Sequence, residues 1–139
     1  MGIEQLSSQI YSVHSSLNHL SQNIQQKREQ LDRLLACERQ LFNLHGELQS
    51  LLPSTRRPEL HPQNWSGSNA EDFENIRNEA IVNNFHQLVN NQYTNLEQTL
   101  DHKISQIRNE ISSLESQASN QRSRLSRLES QRKEMLARE

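Results

Sequence analysis

Residues 53–73 read PSTRRPELHPQNWSGSNAEDF. Pro53, Pro58 and Pro62 are all the prolines in the chain, crowded into ten residues. Proline lacks the N–H that a helix interior needs and biases the residue before it toward extended geometry. The stretch therefore ends one helix and reverses the chain before the next. Beyond it, Ser68 and Glu71 have the spacing of a capping box, in which two side chains satisfy first-turn amides reciprocally. Ser66 as N-cap is a competing register, which sets Trp65 and Ala70 at the spacing of a hydrophobic staple. The sequence does not choose between the two.

Upstream of the prolines the apolar residues recur at three- and four-residue steps: Ile3, Leu6, Ile10, Val13, Leu17, Leu20, Ile24, Leu31, Leu34, Leu41, Leu44, Leu48 and Leu51. Lys27 fills the one missed position between Ile24 and Leu31. This is the repeat of a helix packing along its length on another helix. Around Leu34, Cys37 and Leu41 two three-residue steps adjoin, the pattern of a stammer. One helix over residues 3–52 follows, about 75 Å long at 1.5 Å per residue.

Downstream, neither Gly nor Pro occurs from Ser68 to the end of the chain. The stripe begins loosely at Ala70, Phe73, Ile76, Ala80, Ile81, Phe85 and Leu88. It then becomes regular through Leu100, Ile104, Ile107, Ile111, Leu114, Ala118, Gln121, Leu125, Leu128, Arg132 and Met135. The spacing predicts a second helix over residues 68–137. Asn83, Asn84, Asn90, Asn91 and Asn95 are poor interior helix formers, so a bend or a frayed turn is expected there. The expected fold is all-α, one domain over residues 1–139: a long antiparallel two-helix hairpin, coiled-coil-like, with its reversal at residues 53–67.

Composition agrees with rods rather than a globule. Of 139 residues, 32% are hydrophobic and 4% aromatic, and three glycines leave little material for turns. The formal charge of −2, with both signs interspersed, supplies no bulk field for nucleic acid or a membrane surface. Residues Arg122 to Arg138 carry a mild basic excess, but no aromatic platform accompanies it, so nucleic-acid binding is not expected. No apolar run nears the roughly 18 residues of a spanning helix, so no membrane insertion is expected. The lone Cys37 excludes an intramolecular disulfide. The opening MGIEQLSSQI lacks the cationic and apolar regions of a secretory signal peptide, and Leu6 stands where myristoylation wants Ser or Thr. Any export is expected to use a leaderless route.

Catalytic and cofactor chemistry finds no foothold. No H-E-x-x-H, cysteine pair, nucleophile elbow or glycine-rich phosphate loop is present, and the histidines are scattered. The expectation is a non-enzyme with no catalytic residue, no metal and no cofactor.

The helix lengths differ. If both are straight and the chain turns near residue 60, the last ~20 residues of helix two overhang the first. Leu125, Leu128 and Met135 would then continue an apolar seam beyond any intrachain cover, and with Leu114 they are the expected partner interface. Truncation after Ala118 is expected to spare the hairpin and weaken partner binding. Gln121 and Arg132 on the seam would restrict register and partner choice.

Trp65, the only tryptophan, begins the pattern W-x-G-x-x-A-x-x-F through Gly67, Ala70 and Phe73. Gly67 is expected to spare room for the indole or for a tight start to the helix. Ala70 and Phe73, about one and two turns on, are expected to face helix one. This pattern at a hairpin tip resembles the WXG-type helical-hairpin superfamily exported by type VII secretion systems. Over most of its length the chain looks more closely like the YwqH-like subgroup of LXG-toxin partner proteins. The likeness rests on the I-x-x-L-rich first helix, Cys37 near Leu34 and Leu35, Pro58-Glu59-Leu60 and the tryptophan motif. The resemblance implies a partner or targeting chaperone that binds the helical N-terminal region of an LXG toxin and promotes its export, with room for a second small helical partner. It implies assembly in the cytoplasm, followed by secretion or surface display. Superfamily members also carry Y-x-x-x-D/E as part of an export signal, a string matched by Tyr93 and Glu97, though in mid-helix. The competing reading is a structural homodimeric coiled coil with no secretion role.

Overall fold

The computed structural model describes residues 2–60 and 65–138. His61 and Pro62, in the expected reversal, lie outside the described residues. Helix α1 runs Ile3–Leu51 and is followed by a 3₁₀ turn, Leu52–Arg56. Helical structure resumes with α2, Ser68–Arg77, and continues as a π turn Asn78–Val82, α3 Asn83–Gln87, a second π turn Leu88–Gln92 and α4 Tyr93–Arg138. The protein is an all-α helical hairpin; no strand occurs among the described residues. Its contacts divide into two compact units, one of residues 1–33 with 104–139 and the other of residues 34–103.

In the first unit α1 and α4 pack antiparallel. Leu20 and Ile24 cluster with Ala118, flanked by Leu17 and Leu114. Leu6, Ile10 and Val13 cluster with Leu128, and Leu125 and Met135 pack against them. From Leu100 to Met135, every position of the expected stripe is buried or half-buried, Gln121 and Arg132 included. Lys27 occupies its seam position half-buried and meets Glu110 at 2.7 Å, while Arg28 meets Glu115 at 2.6 Å beside the seam. An ammonium at a seam position is tolerable because a carboxylate across the pair neutralises it.

The expected overhang is therefore corrected. Leu125, Leu128 and Met135 are covered by the chain's own first helix, and Leu128 is only 7% exposed. The surplus of helix two is consumed near the reversal. Arg57 is extended, and Pro58 lies beside Arg77, already the tenth residue of α2. The 3₁₀ turn touches the first π turn and α3. With Pro58 opposite Arg77 and His45 opposite Tyr93, the chain turns near residue 68 rather than residue 60, and the two arms match in length. The returning helix comes level with Leu52 near residue 82, not near residue 68.

In the second unit the buried stripe also departs from expectation. Along α1 and into the 3₁₀ turn the seam runs through half-buried Leu34, Glu38, Leu41, His45, Leu48 and Leu52, with Leu35 and Ala36 also half-buried beside it, whereas Cys37, Leu44 and Leu51 are exposed. The alternating three- and four-residue rhythm continues unbroken, so no stammer forms; two polar residues take seam positions and leucines lie beside them. On the returning helix the protected positions are Ala70, Glu74, Arg77, Val82, Phe85, Val89 and Tyr93. Phe73, Ile76, Ile81 and Leu88 are exposed. Each π turn inserts one residue into the repeat, which turns the stripe by one position. The Asn-rich stretch stays helical, with Asn84 donating to the Ala80 carbonyl at 2.9 Å and Thr94 to that of Asn90 at 2.6 Å.

Candidate functional site at the helix-two tip and the Tyr93 layer

The tip lies in the second unit. Pro53 is the second residue of the 3₁₀ turn, and the Thr55 hydroxyl donates to the Leu52 carbonyl at 2.7 Å. Gly67 is the N-cap of α2 with φ 101° and ψ −171°. Its carbonyl accepts from the Glu71 amide at 3.1 Å, and no side chain caps the helix. Neither the Ser68–Glu71 box nor a Ser66 cap forms. The expected reason for Gly67 is also corrected. A Cβ there would meet nothing within 4 Å, so the requirement comes from a backbone region essentially closed to other residues, not from crowding.

Trp65 meets Phe73 with ring centroids 5.5 Å apart, and the Arg77 guanidinium lies 5.4 Å from the centre of the Phe73 ring. Ala70 faces inward as expected; Phe73 does not, being about as exposed as the 42% of Trp65. The core-facing place goes to Arg77, which is 5% exposed. Its Nη1 donates to the Pro58 carbonyl at 2.7 Å and its Nη2 to the Glu74 carboxylate. Burial of a guanidinium is costly without such partners. Sequence periodicity missed this residue because a buried arginine carries no apolar signal.

Tyr93 and Glu97 form a separate layer in the same unit. The Tyr93 ring stacks on His45, centroids 3.7 Å apart and planes 11° from parallel. Its hydroxyl donates to the Glu97 carboxylate. That bond, then partial burial and the nearby charges of Glu97, Glu38 and Asp101, hold its pKa above the usual tyrosine value. The two residues implied as an export signal are thus engaged within the hairpin. Glu38, Arg39, Leu41 and Phe42 of α1 line a shallow hollow with Tyr93, Glu97 and Asp101. His45 was the missed member, recognisable in the sequence only by extending the regular repeat through Glu38.

No protein-family model, curated protein or solved structure matches the chain. The physical features of the surface therefore stand by themselves. Among the described residues no group of three or more His, Cys, Asp or Glu is placed to hold a metal ion, and no helix is long and apolar enough to cross a membrane. Among the described residues the exposed large hydrophobics gather in the second unit: nine of eleven lie within residues 34–103, all but Tyr11 and Leu136. Leu114, Leu125, Leu128 and Met135, the expected partner interface, are instead occupied within the first unit.

Proposed function

We propose that the chain is a non-catalytic partner and targeting chaperone for an LXG toxin. It binds the helical N-terminal region of the toxin and promotes its export by a type VII secretion system. The observation that carries this reading is the tip. Trp65 stands 42% exposed, braced by Phe73, two residues before the positive-φ Gly67 that starts the helix. A half-exposed indole on a rigid support is costly to leave in water, and it is the commonest kind of anchor in protein recognition. The resemblance of Trp65, Gly67, Ala70 and Phe73 to the WXG pattern gives that anchor its role, as part of a composite signal completed by the toxin.

Co-expression with the neighbouring LXG protein tests the reading. The pair is expected to co-purify. Trp65→Ala is expected to keep the helical content and abolish toxin export. No co-purification, together with unchanged secretion in a deletion strain, refutes it.

A further inference from the structure

In the second unit, Leu44, Leu51, Ile76, Ile81 and Leu88 each stand one residue before a buried or half-buried seam position: His45, Leu52, Arg77, Val82 and Val89. Leu96 precedes Glu97, which holds the seam register between half-buried Tyr93 and Leu100 although it is itself exposed. All six are 41–64% exposed. In an antiparallel pair, the residue before a seam position on one helix and its counterpart on the other fall on the same side of the plane through the two axes. The six therefore line one face. On the returning helix their spacing is heptad-like once the residue inserted by each π turn is removed. This is a second seam on helices that already use one, the mark of helices built for a bundle of more than two.

The size and charge of the face say what covers it. Each side chain presents about 100 Å², and with the flanking Gln40, Asn84 and Gln92 the face reaches on the order of 800 Å², the share of each partner in a standard-size interface. Its apolar part, about 550 Å², lies at the upper end of the roughly 300–600 Å² of the largest patch on a typical monomer, a size that is often functional. Glu47 is the one charged residue among the positions that precede the α1 seam from Cys37 to Leu51, and none of the flanking residues named is charged. The face carries no charge pattern that selects a foreign partner, and little like-charge repulsion against a copy of itself. A two-fold pair applies one self-complementary patch twice, which is the commonest way such a surface is covered.

We propose that a second copy of this chain covers the face, the two copies pairing through Leu44, Leu51, Ile76, Ile81, Leu88 and Leu96 into a four-helix arrangement of their second units. Phe73, one residue before half-buried Glu74, borders the same face, so the proposal is kept apart from the toxin-partner reading by its variants, none of which touches Trp65 or Phe73.

Sedimentation equilibrium of the full chain tests it. At about 10 µM, within reach of an interface of this size, a mass twice that of the chain is expected. Ile81→Glu with Leu88→Glu should return the mass to one chain with unchanged helical content, as should Ile76→Glu and Leu96→Glu singly at the two ends of the face. Leu136→Glu, exposed in the other unit, should leave the dimer intact. A monomeric wild type overturns the proposal, as does a dimer that survives the face variants or yields to Leu136→Glu. A monomer whose face is covered only on mixing with the helical region of an LXG protein assigns the face to that partner, and overturns self-pairing while leaving the toxin reading in place.

Discussion

Arg77 donates through Nη1 to the backbone carbonyl of Pro58, 2.7 Å away, and so ties the outgoing connection to the returning helix. The same guanidinium holds Glu74 and lies against the Phe73 ring that supports Trp65. One buried cation thus fixes both the register of the reversal and the platform of the tryptophan. Arg77→Met keeps the aliphatic stem and removes both charged hydrogen bonds, stranding the Pro58 carbonyl. A loss of about 2–4 kcal/mol is expected in urea unfolding. Amide exchange should accelerate first in residues 52–77.

Gly67→Ala separates a backbone requirement from a steric one. Open space surrounds the missing Cβ, so the cost comes only from φ 101°. The strain of that region is about 1–3 kcal/mol, and thermal unfolding should read it. Ser66→Ala is the control. No side chain caps α2, so this substitution is expected to change stability by less than about 0.5 kcal/mol. A larger effect would restore the serine cap that the geometry denies.

Truncation after Ala118 is expected to do the opposite of what a free tail would show. It removes Leu125, Leu128 and Met135 from the cluster that covers Leu6, Ile10 and Val13. Leu6, Ile10 and Val13 then lose the helix-two residues described as packing on them, and an isolated helical stretch of that length is marginal in water. Circular dichroism should fall by more than the deleted residues account for, and exchange protection should vanish over residues 3–17. In the intact chain, Leu128→Ala should cost about 2–5 kcal/mol, while Leu136→Ala should stay near zero.

How far the sequence can be read follows from these cases. From Leu100 to Met135 periodicity was sufficient, because a helix without Gly or Pro keeps one face inward and even Gln121 and Arg132 follow it. The same rule failed where leucines lie beside the seam. Leu44 and Leu51 attracted the reading, whereas geometry kept Glu38, His45 and Leu52 inward. The π turns left no local signature in Asn78–Val82 or Leu88–Gln92, yet each rotates the stripe by one residue. The assumed reversal near residue 60 failed because helical structure resumes only after Gly67, which brings Pro58 opposite Arg77. At the tip, Trp65, Gly67 and Ala70 were legible as a pattern; that Phe73 turns outward depended on Arg77 taking the inner place.

The Tyr93 layer offers a spectroscopic prediction. The neutral hydroxyl donates to the Glu97 carboxylate and would lose that bond on ionising, which together with the surrounding negative charge places its pKa above the ordinary value near 10. Because the folded value exceeds the unfolded one, the stabilisation is fully present below about pH 10 and is lost as pH rises through the folded value. In a Tyr11→Phe background, tyrosinate absorbance reports Tyr93 alone. Its midpoint should lie above that of an unstructured tyrosine peptide, and Glu97→Gln should bring it down. The stack on His45 supplies the structural readout: Tyr93→Leu keeps an apolar seam residue but removes the ring, so it should preserve the fold while abolishing the tyrosinate signal. If Glu97→Gln leaves the midpoint where it was, the carboxylate does not receive the hydroxyl, and the pairing of these two residues within the hairpin is wrong.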